Sequence, residues 1–469
     1  MRCQKAESSL QGRFTQLLFA AFCLLFLLAA CSAPPASSPT PVPSLTPTLI
    51  PPTATPLATH TPAPTPVAGG LYVDLAQSLG PVSPFVYGTN YGPWLFVPLE
   101  MQDETVAAKL SVVRFPGGNW GDLNDVDEWS VDQYVFYARQ WGAEPYITVR
   151  LKGGTPEKAA ALVKYTNITK QYNVRYWSIG NEPSLYGKDY TTDVYNQQWQ
   201  EWAEAMRAVD SSITLIGPEI HQFTANFEGN PKDSAGNDWM TDFLRVNGNL
   251  VDIVSFHRYP FPKNTSSGPP AIADMRNASR EWDNTIPYLN TLIREQTGRD
   301  IPIAITEINS SWASNSGGEA TMDSHYNAIW WGDSLGRMIR QGVFMVNQFA
   351  IISDYGLMDK YKPFPIYYVY IIYQKFGTER LYASSDNTNV SVFAAKRDDG
   401  AVTIMVVNLD SNETTTQLTL TNEMNGVSAE TWLFDKTHNV EQVEPTVLGT
   451  TTSLTLPAES ISLYVIPSE

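Results

Sequence analysis

Beyond residue 84 the chain alternates between two hydrophobic rhythms. Short runs rich in β-branched and aromatic residues recur at 86–90, 111–115, 145–151, 174–180, 214–218, 251–257, 302–307 and 343–349. Between them lie stretches such as 156–165 (PEKAAALVKY) and 196–209 (NQQWQEWAEAMRAV), whose apolar residues return at helical spacing. The short runs predict buried strands and the longer stretches amphipathic helices. Eight strand–helix units in about 300 residues have the size and order of an α/β fold of the (β/α)8 (TIM) barrel type. An open, doubly wound sheet is the structural alternative. Near Phe376 the rhythm changes: segments 390–396, 401–408, 415–420, 429–434 and 452–465 read as alternating strands between Gly, Asn and Asp turns. This predicts a C-terminal all-β sandwich packed on the barrel, with residues 71–84 adding a strand to it. The expected domains are a barrel over 69–376 and a sandwich over 377–469.

The N-terminal part follows neither rhythm. Arg2, Lys5 and Arg13 precede an apolar run from Leu17 to Ala30, a signal-peptide layout too short for a comfortable membrane-spanning helix. Leu28-Ala29-Ala30-Cys31 resembles the bacterial lipobox, so residues 1–31 read as a lipoprotein signal with Cys31 as the lipidation site. A secretory signal with a chance cysteine is the alternative. Residues 32–68 are mostly Pro, Thr, Ser and Ala with no Asp, Glu, Lys or Arg and hold 12 of the 33 prolines, which makes them a linker. At polyproline rise, roughly 3.1 Å per residue, it would hold a body about 100 Å from a membrane. The expected localisation is export, with a lipid anchor in the bacterial membrane at the cell surface or in the periplasm.

The net charge is −17, and residues 1–68 contribute three cations and one anion, so the remaining chain carries −19. An acidic body repels nucleic acid and polyanions and favours a neutral partner. Cys3, Cys23 and Cys31 are the only cysteines, so residues 32–469 can form neither a disulfide nor a thiolate metal site. No HExxH-type spacing is present, and the sequence calls for no metal and no cofactor. Aromatic residues make up 12% of the chain, which suits a large core and a ring-stacking cleft alike.

In a barrel of this type the chemistry sits where strands end. The fourth predicted strand ends in Ser178-Ile179-Gly180-Asn181-Glu182-Pro183, and the seventh in Thr306-Glu307-Ile308-Asn309. Each apolar run delivers one carboxylate to the barrel mouth. Glycoside hydrolysis needs two such groups, one protonated to help the leaving oxygen depart and one ionised to attack the anomeric carbon. A glutamate titrates near ~4.3 when unperturbed, so the acid must be raised by burial or by its neighbour's charge. Arg114 ends the second strand, beside Asn119, while His257 and Tyr259 end the sixth on one side of it. An arginine near Glu307 would keep it ionised and a tyrosine hydroxyl could donate to it. Replacing Arg114 is expected on this reading to lower turnover with only a modest loss of stability. Asn90 and Gln348 close the ring from the first and eighth strands.

These residues resemble clan A glycoside hydrolases, whose acid/base follows an asparagine at the fourth strand and whose nucleophile ends the seventh. The likeness runs from about residue 80 to the C-terminus. RFPGGN at 114–119, EPYITV at 144–149, TPEKAAALVKY at 155–165, RYWSIGNE at 175–182 and HRY at 257–259 resemble family 51 α-L-arabinofuranosidases. SIGNEPSLY, ITEIN and FGTERLYASSDNTNVSVFAA look more like family 44 β-glucanases, and family 39 is similar as well. The resemblance implies Glu182 as acid/base and Glu307 as nucleophile, with Arg114, Asn119, Asn181, His257, Tyr259 and Gln348 on supporting positions. One position departs: family 51 usually has a sugar-binding glutamate just after the first-strand Tyr-Gly, where this chain reads Tyr87-Gly88-Thr89-Asn90. The expected substrates are therefore neutral, plant-type β-glycans. An α-L-arabinofuranosidase and an inactive glycan-binding lipoprotein are the alternatives.

Trp94, Trp120 and Trp312 follow predicted strands and read as sugar platforms, whereas Trp330 and Trp331 sit in a helical stretch and read as core. Asp122, Asn124, Asp125 and Asp127 lack the spacing and glycine of a calcium loop and read as a solvated acidic loop. Glu219 and His221 follow the fifth strand, where a substrate contact and a hydrogen-bonded loop role are equally good readings.

Overall fold

A computed structural model of the protein describes residues 68–261, 270–313, 316–421 and 426–468. The expected signal, Cys31 and the proline-rich stretch to residue 67 lie outside the described residues. Strand β1 (Leu71–Pro81) belongs to a second sheet. The next eight are parallel and close a barrel: β2 (Phe85–Asn90), β3 (Val112–Phe115), β4 (Glu144–Val149), β5 (Tyr176–Ile179), β6 (Thr214–Ile220), β7 (Ile253–Arg258), β8 (Ile303–Ile308) and β9 (Met345–Gln348). Each overlaps one of the eight predicted runs.

Helices join them: α1 (Gln102–Ala107), α2 (Trp120–Leu123), α3 (Glu128–Gln140), α4 (Pro156–Val163), α5 (Thr192–Val209), α6 (Trp239–Asn247), α7 (Ile272–Ala278), α8 (Trp282–Thr297), α9 (His325–Arg340) and α10 (Pro365–Tyr373). Their starts follow local chemistry. Asp127 accepts from Ser130 N at 2.8 Å to cap α3, and Asp238 does the same for α6 from Thr241 N at 2.8 Å. Thr155 caps α4, with Pro156 in the first turn, where its missing N–H is not needed.

Side-chain alternation explains how the barrel interior changes character along its axis. Phe85, Val112, Tyr146, Tyr176, Ile216, Ile253, Ala304 and Met345, one from each strand, pack as a closed apolar layer. Two residues further along, on the same side of each strand, the interior turns polar, with Arg114, Thr148, Ser178, Ser255, Thr306 and Asn347, all buried. Strict alternation would not point Glu219 or Glu307 inward. Register irregularities between Gly217 and Ile220 in β6, and between Ile305 and Ile308 in β8, bring them in.

The second sheet continues with β10 (Glu379–Ser385), β11 (Val390–Lys396), β12 (Val402–Asn408), β13 (Thr414–Leu420), β14 (Val427–Phe434), β15 (Asn439–Leu448), β16 (Thr451–Leu456) and β17 (Ser460–Ile466). The order is β15-β14-β17-β12-β11-β10-β1-β13-β16, with β1 antiparallel to β10 and parallel to β13. Leu448 from one end and Leu454 and Leu456 from the other share one core with Val73, Ile404 and Val406, so the sheet folds back on itself. Its other face, with Phe393, Met405 and Leu463, joins the barrel core. Helix α9 lies in that joint and is buried over almost its whole circumference. Gly332 and Gly336 permit the approach, since a Cβ at Gly336 would lie 2.4 Å from the Phe393 ring. Strands β10 and β15 are not among the predicted segments, and 452–465 divides into β16 and β17 around Pro457.

Candidate active site

Glu307 lies in β8 and Glu182 three residues beyond β5, and a carboxylate oxygen of each falls within 4.8 Å of the other. The chain reaches this point through Gly180 (φ +79°) and through Glu182 itself (φ +48°, ψ +52°). Glu219 is also left-handed (φ +57°), and Glu182 N donates to Glu219 O at 2.9 Å. A non-glycine residue in this region costs about 1–2 kcal/mol, so two joined in one place mark a backbone held by its surroundings.

Arg114 is the hub beneath the pair. It is fully buried, and Nη1 donates to Glu307 Oε2 (3.1 Å) and Asn90 Oδ1 (3.1 Å). Nη2 donates to Asn181 Oδ1 (2.8 Å) and pairs with Glu219 Oε2 (2.8 Å). Tyr259 donates to the other oxygen of Glu307 at 2.7 Å. Asn181 donates onward to Asn119 Oδ1 at 3.0 Å, so the chain of contacts crosses from β3 to the loop after β5. Glu307 thus holds two donors, one on β3 and one just past the end of β7.

His257 links the remaining carboxylates. Its Nδ1 lies 3.1 Å from Glu182 Oε1 and 3.9 Å from Glu307 Oε2, and its Nε2 lies 3.1 Å from Glu219 Oε2. Burial alone would keep the ring neutral, but Glu307, Glu182 and Glu219 outweigh it and lift its pKa to about 9. Glu219 is lowered to about 2: burial opposes ionisation, and Arg114 followed by His257 overcome it. With the ring charged, burial raises Glu182 but the His257 hydrogen bond and charge bring it below the ordinary value. Glu307 lies above the ordinary value, because burial and the charge of Glu182 exceed what His257 and Arg114 return. Glu182, His257 and Glu307 could also surround a small cation, yet Arg114 and the charged ring already bring positive charge to them.

Over the carboxylates opens a cavity of about 350 Å³ whose lining includes Asn119, Leu185, Ser311, Trp312, Phe349 and Tyr355. Trp312 is 52% exposed and meets Tyr259 edge-on at 6.1 Å. Tyr355, stacked on Phe349 at 5.6 Å, is a wall residue that the sequence reading missed, because it lies in a loop with no strand signal. Trp94 is 40% exposed and reaches Tyr355, but neither it nor Trp120 lines the cavity. Trp330 and Trp331 are buried, as read. Gln348 is buried below the wall; its amide donates to Phe349 O (2.9 Å) and Tyr355 O (3.4 Å), tying the loop that carries them.

In the acidic loop Asn124, Asp125 and Asp127 are exposed, as read, and Asp122 departs. Asp122 is buried and accepts from Asn181 N (2.8 Å), Leu151 N and Lys152 N (both 3.3 Å) and from the Tyr186 hydroxyl. It holds the Asn181–Glu182 turn in place. Asp125 pairs with Arg150 and Lys158, and Asp127 caps α3. Glu219, expected just after the fifth strand, lies within β6 and is hydrogen-bonded to Arg114, Tyr146 and His257. Packing of β6 would have pointed it outward, and only the irregularity in that strand turns it in.

Residues 162–424 match the family described as glycosyl hydrolases family 39. In sequence, the chain is 27% identical over 150 residues to alpha-L-arabinofuranosidase C of Emericella nidulans, covering 23% of this chain and 29% of the fungal protein. It is 26% identical over 192 residues to an intracellular exo-alpha-(1->5)-L-arabinofuranosidase of Halalkalibacterium halodurans, covering 32% of this chain and 37% of that one. The matches thus span less than half of these relatives. In structure, an alpha-L-arabinofuranosidase from Thermotoga maritima superposes with a TM-score of 0.69 at 16% identity, over 85% of this chain and 100% of the other. A bifunctional glucanase-xylanase from a metagenome library gives 0.66 at 20% identity, over 86% and 99%. A Paenibacillus polymyxa family 44 xyloglucanase with xyloglucan gives 0.66 at 15%, over 85% and 99%. These likenesses establish a shared fold.

Proposed function

The chain belongs to glycosyl hydrolases family 39, in clan A of the glycoside hydrolases, and from that premise we propose a retaining enzyme with Glu307 as nucleophile and Glu182 as acid/base. The observation that carries this reading is the approach of the two carboxylates to within 4.8 Å. Retaining enzymes hold the pair about 5–5.5 Å apart, whereas inverting ones leave room for a water at about 6.5–9.5 Å. Glu307 attacks the anomeric carbon as Glu182 gives its proton to the departing oxygen, which forms a glycosyl ester and frees the leaving group. Water then attacks the ester carbon, Glu182 takes its proton, and Glu307 is released.

His257 decides where the proton sits between the two steps. With its ring charged, Nδ1–H donates to Glu182. Transfer of that proton across 3.1 Å makes Glu182 the acid and leaves a neutral Nε2–H ring bound to Glu219. The same transfer removes two opposing charges beside Glu307, that of Glu182, which raises it, and that of His257, which lowers it; Glu307 keeps its donors Arg114 and Tyr259 and is the proposed ionised member.

The proposed substrates are neutral, plant-type β-glycans. Asn90 stands near where a sugar-binding carboxylate of family 51 is expected, and it is engaged with Arg114 and with three backbone carbonyls. Trp312 and Tyr355 offer ring faces at the cavity wall. The names of the sequence relatives favour a second reading, α-L-arabinofuranosidase. The chain is further proposed to be exported and anchored through acylated Cys31, which its uncharged, proline-rich tether supports.

The test uses variants and a panel of aryl glucosides, xylosides and arabinofuranosides. Glu307→Ala is expected to abolish turnover of every substrate. Glu182→Ala is expected to glycosylate with an activated leaving group and then stall until azide, which needs no general base, releases a glycosyl azide of retained configuration. An azide of inverted configuration would sink the assignment. Preference for arabinofuranoside over glucoside and xyloside would select the second substrate reading.

A further inference from the structure

Beneath the two glutamates lies a third buried carboxylate that the double displacement does not use. Glu219 is wholly inaccessible and held by three donors from three strands: Arg114 on β3 (2.8 Å), the Tyr146 hydroxyl on β4 (2.9 Å) and His257 Nε2 on β7 (3.1 Å). Its backbone N is fixed by Ser255 Oγ at 3.1 Å, and its φ of +57° is tolerated to place it there. A surface loop residue needs none of this. A carboxylate so placed has two effects on its neighbours: it takes up charge from Arg114, and it accepts from only one of the two ring nitrogens of His257.

We propose that Glu219 is a positioning residue that fixes His257 with Nε2–H pointing down into the barrel, so that Nδ1 carries the one mobile proton shared with Glu182. This rests on the reading of Glu182 as acid/base. The imidazole orientation follows from geometry, because Nε2 reaches Glu219 and Nδ1 reaches Glu182 at the same distance of 3.1 Å. The charge follows from a count. Arg114 and a protonated His257 face three carboxylates, Glu182, Glu219 and Glu307. Glu219 touches both cations, so the two glutamates at the mouth share one proton less than they need to be neutral and one more than they need to be both charged once His257 yields its own. The other polar groups facing this set do not compete. His221, bonded to Ser184 Oγ at 2.7 Å, is pushed toward its neutral form by burial, and Tyr146 and Tyr259 are held far above neutrality by burial.

Removing the negative charge of Glu219 should therefore do more than loosen the packing: it should let His257 lose its proton at lower pH. An opposite charge within ~4–6 Å is worth roughly one to three pH units, so Glu219→Gln should move the titration of His257 acidward by that amount. The alkaline limb of kcat/KM should move with it. A residue that only packs would lower activity by the same factor at every pH.

The decisive measurement is ring ¹H–¹⁵N NMR of the full chain, which has five histidines, with His257 assigned by loss of its signals in His257→Gln. In the wild type a hydrogen-bonded, downfield Nε2–H should persist through neutral pH, and the ring should titrate well above its ordinary value. A neutral ring protonated on Nδ1 at pH 7, or titration near ~6.5, overturns the proposal without any variant. In Glu219→Gln, checked for folding by its melting curve, an unchanged His257 titration overturns it equally. These readings need no substrate. If the wild type turned over no glycoside at all, the function would be wrong and the Glu219–His257 arrangement would still be decided.

Discussion

Arg114 offers the sharpest test of how the buried layer is held together. The variant to make is Arg114→Met, which keeps an unbranched stem in the cavity and removes only the guanidinium. Four contacts go at once, two of them to buried carboxylates at 2.8 and 3.1 Å. Removing one partner of a buried pair costs about 3–5 kcal/mol, because the other charge is left without compensation. Glu219 points the same way: its carboxyl is lowered from 4.5 to about 2, the net of burial, which raises it, and of Arg114, His257 and Ser255, with Arg114 the largest favourable cause. At 1.36 kcal/mol per unit this is on the order of 3 kcal/mol. About 400 folded residues imply an unfolding entropy near ~0.8 kcal/mol/K, so the loss corresponds to a fall in Tm of about 4–6 °C. The buried pairing thus argues for a larger stability effect than the modest one expected from the sequence.

The sign with pH follows. In the wild type Glu219 is depressed, so its contribution is present above the unfolded value and is lost only as pH falls toward about 2. In the variant the same carboxyl, buried without its main cation, rises. Its penalty is full at pH 7 and shrinks as the group takes up a proton, so the gap in Tm should narrow between pH 7 and pH 4. Calorimetry at both values reads it directly. Adding Glu219→Gln to Arg114→Met should cost less than the sum of the two single changes, since the second removes the charge the first stranded. A Tm within 1 °C of wild type, a gap independent of pH, or strict additivity would refute the argument.

Two further outcomes are expected. Gly336→Ala should lower Tm and cost roughly 1–3 kcal/mol, because its Cβ would lie 2.4 Å from the Phe393 ring in the joint between barrel and sheet; an unchanged melting curve would mean that the joint has slack. Cys31→Ala should move the protein from the membrane fraction to the soluble one, and a variant that stays on membranes through a carbonate wash would overturn the proposed anchor.

The barrel was legible because its strands are short apolar runs bounded by polar ends, a pattern set by burial on both faces. The same logic singled out Glu182 and Glu307, since packing does not choose a carboxylate at the end of such a run, and the structure brings the two within 4.8 Å. Strand β15 was missed for the opposite reason. It is an edge strand whose residues NVEQVEPTVL are mostly exposed, so no alternation survives, and its proline fits only an edge. Tyr355 and the inward turn of Glu219 were illegible for a third reason. Each depends on a loop path or a register irregularity, and neither leaves a period in the sequence.

These differences share a cause in how the barrel divides its work along the axis. The lower layer, from Phe85 round to Met345, is apolar and closed. That leaves the upper layer free to hold groups that packing alone would reject: a buried arginine, a charged imidazole, three carboxylates and two left-handed glutamates. Each is tolerable only because another cancels it, Arg114 against Glu219 and Glu307, His257 against Glu182 and Glu219. A network of this kind has few arrangements of comparable energy, so the ring of His257 and the two active carboxyls are held in place before any sugar arrives. In the proposed arrangement a proton between Nδ1 and Oε1 stays free to move, which is the freedom the proposed two-step displacement would use.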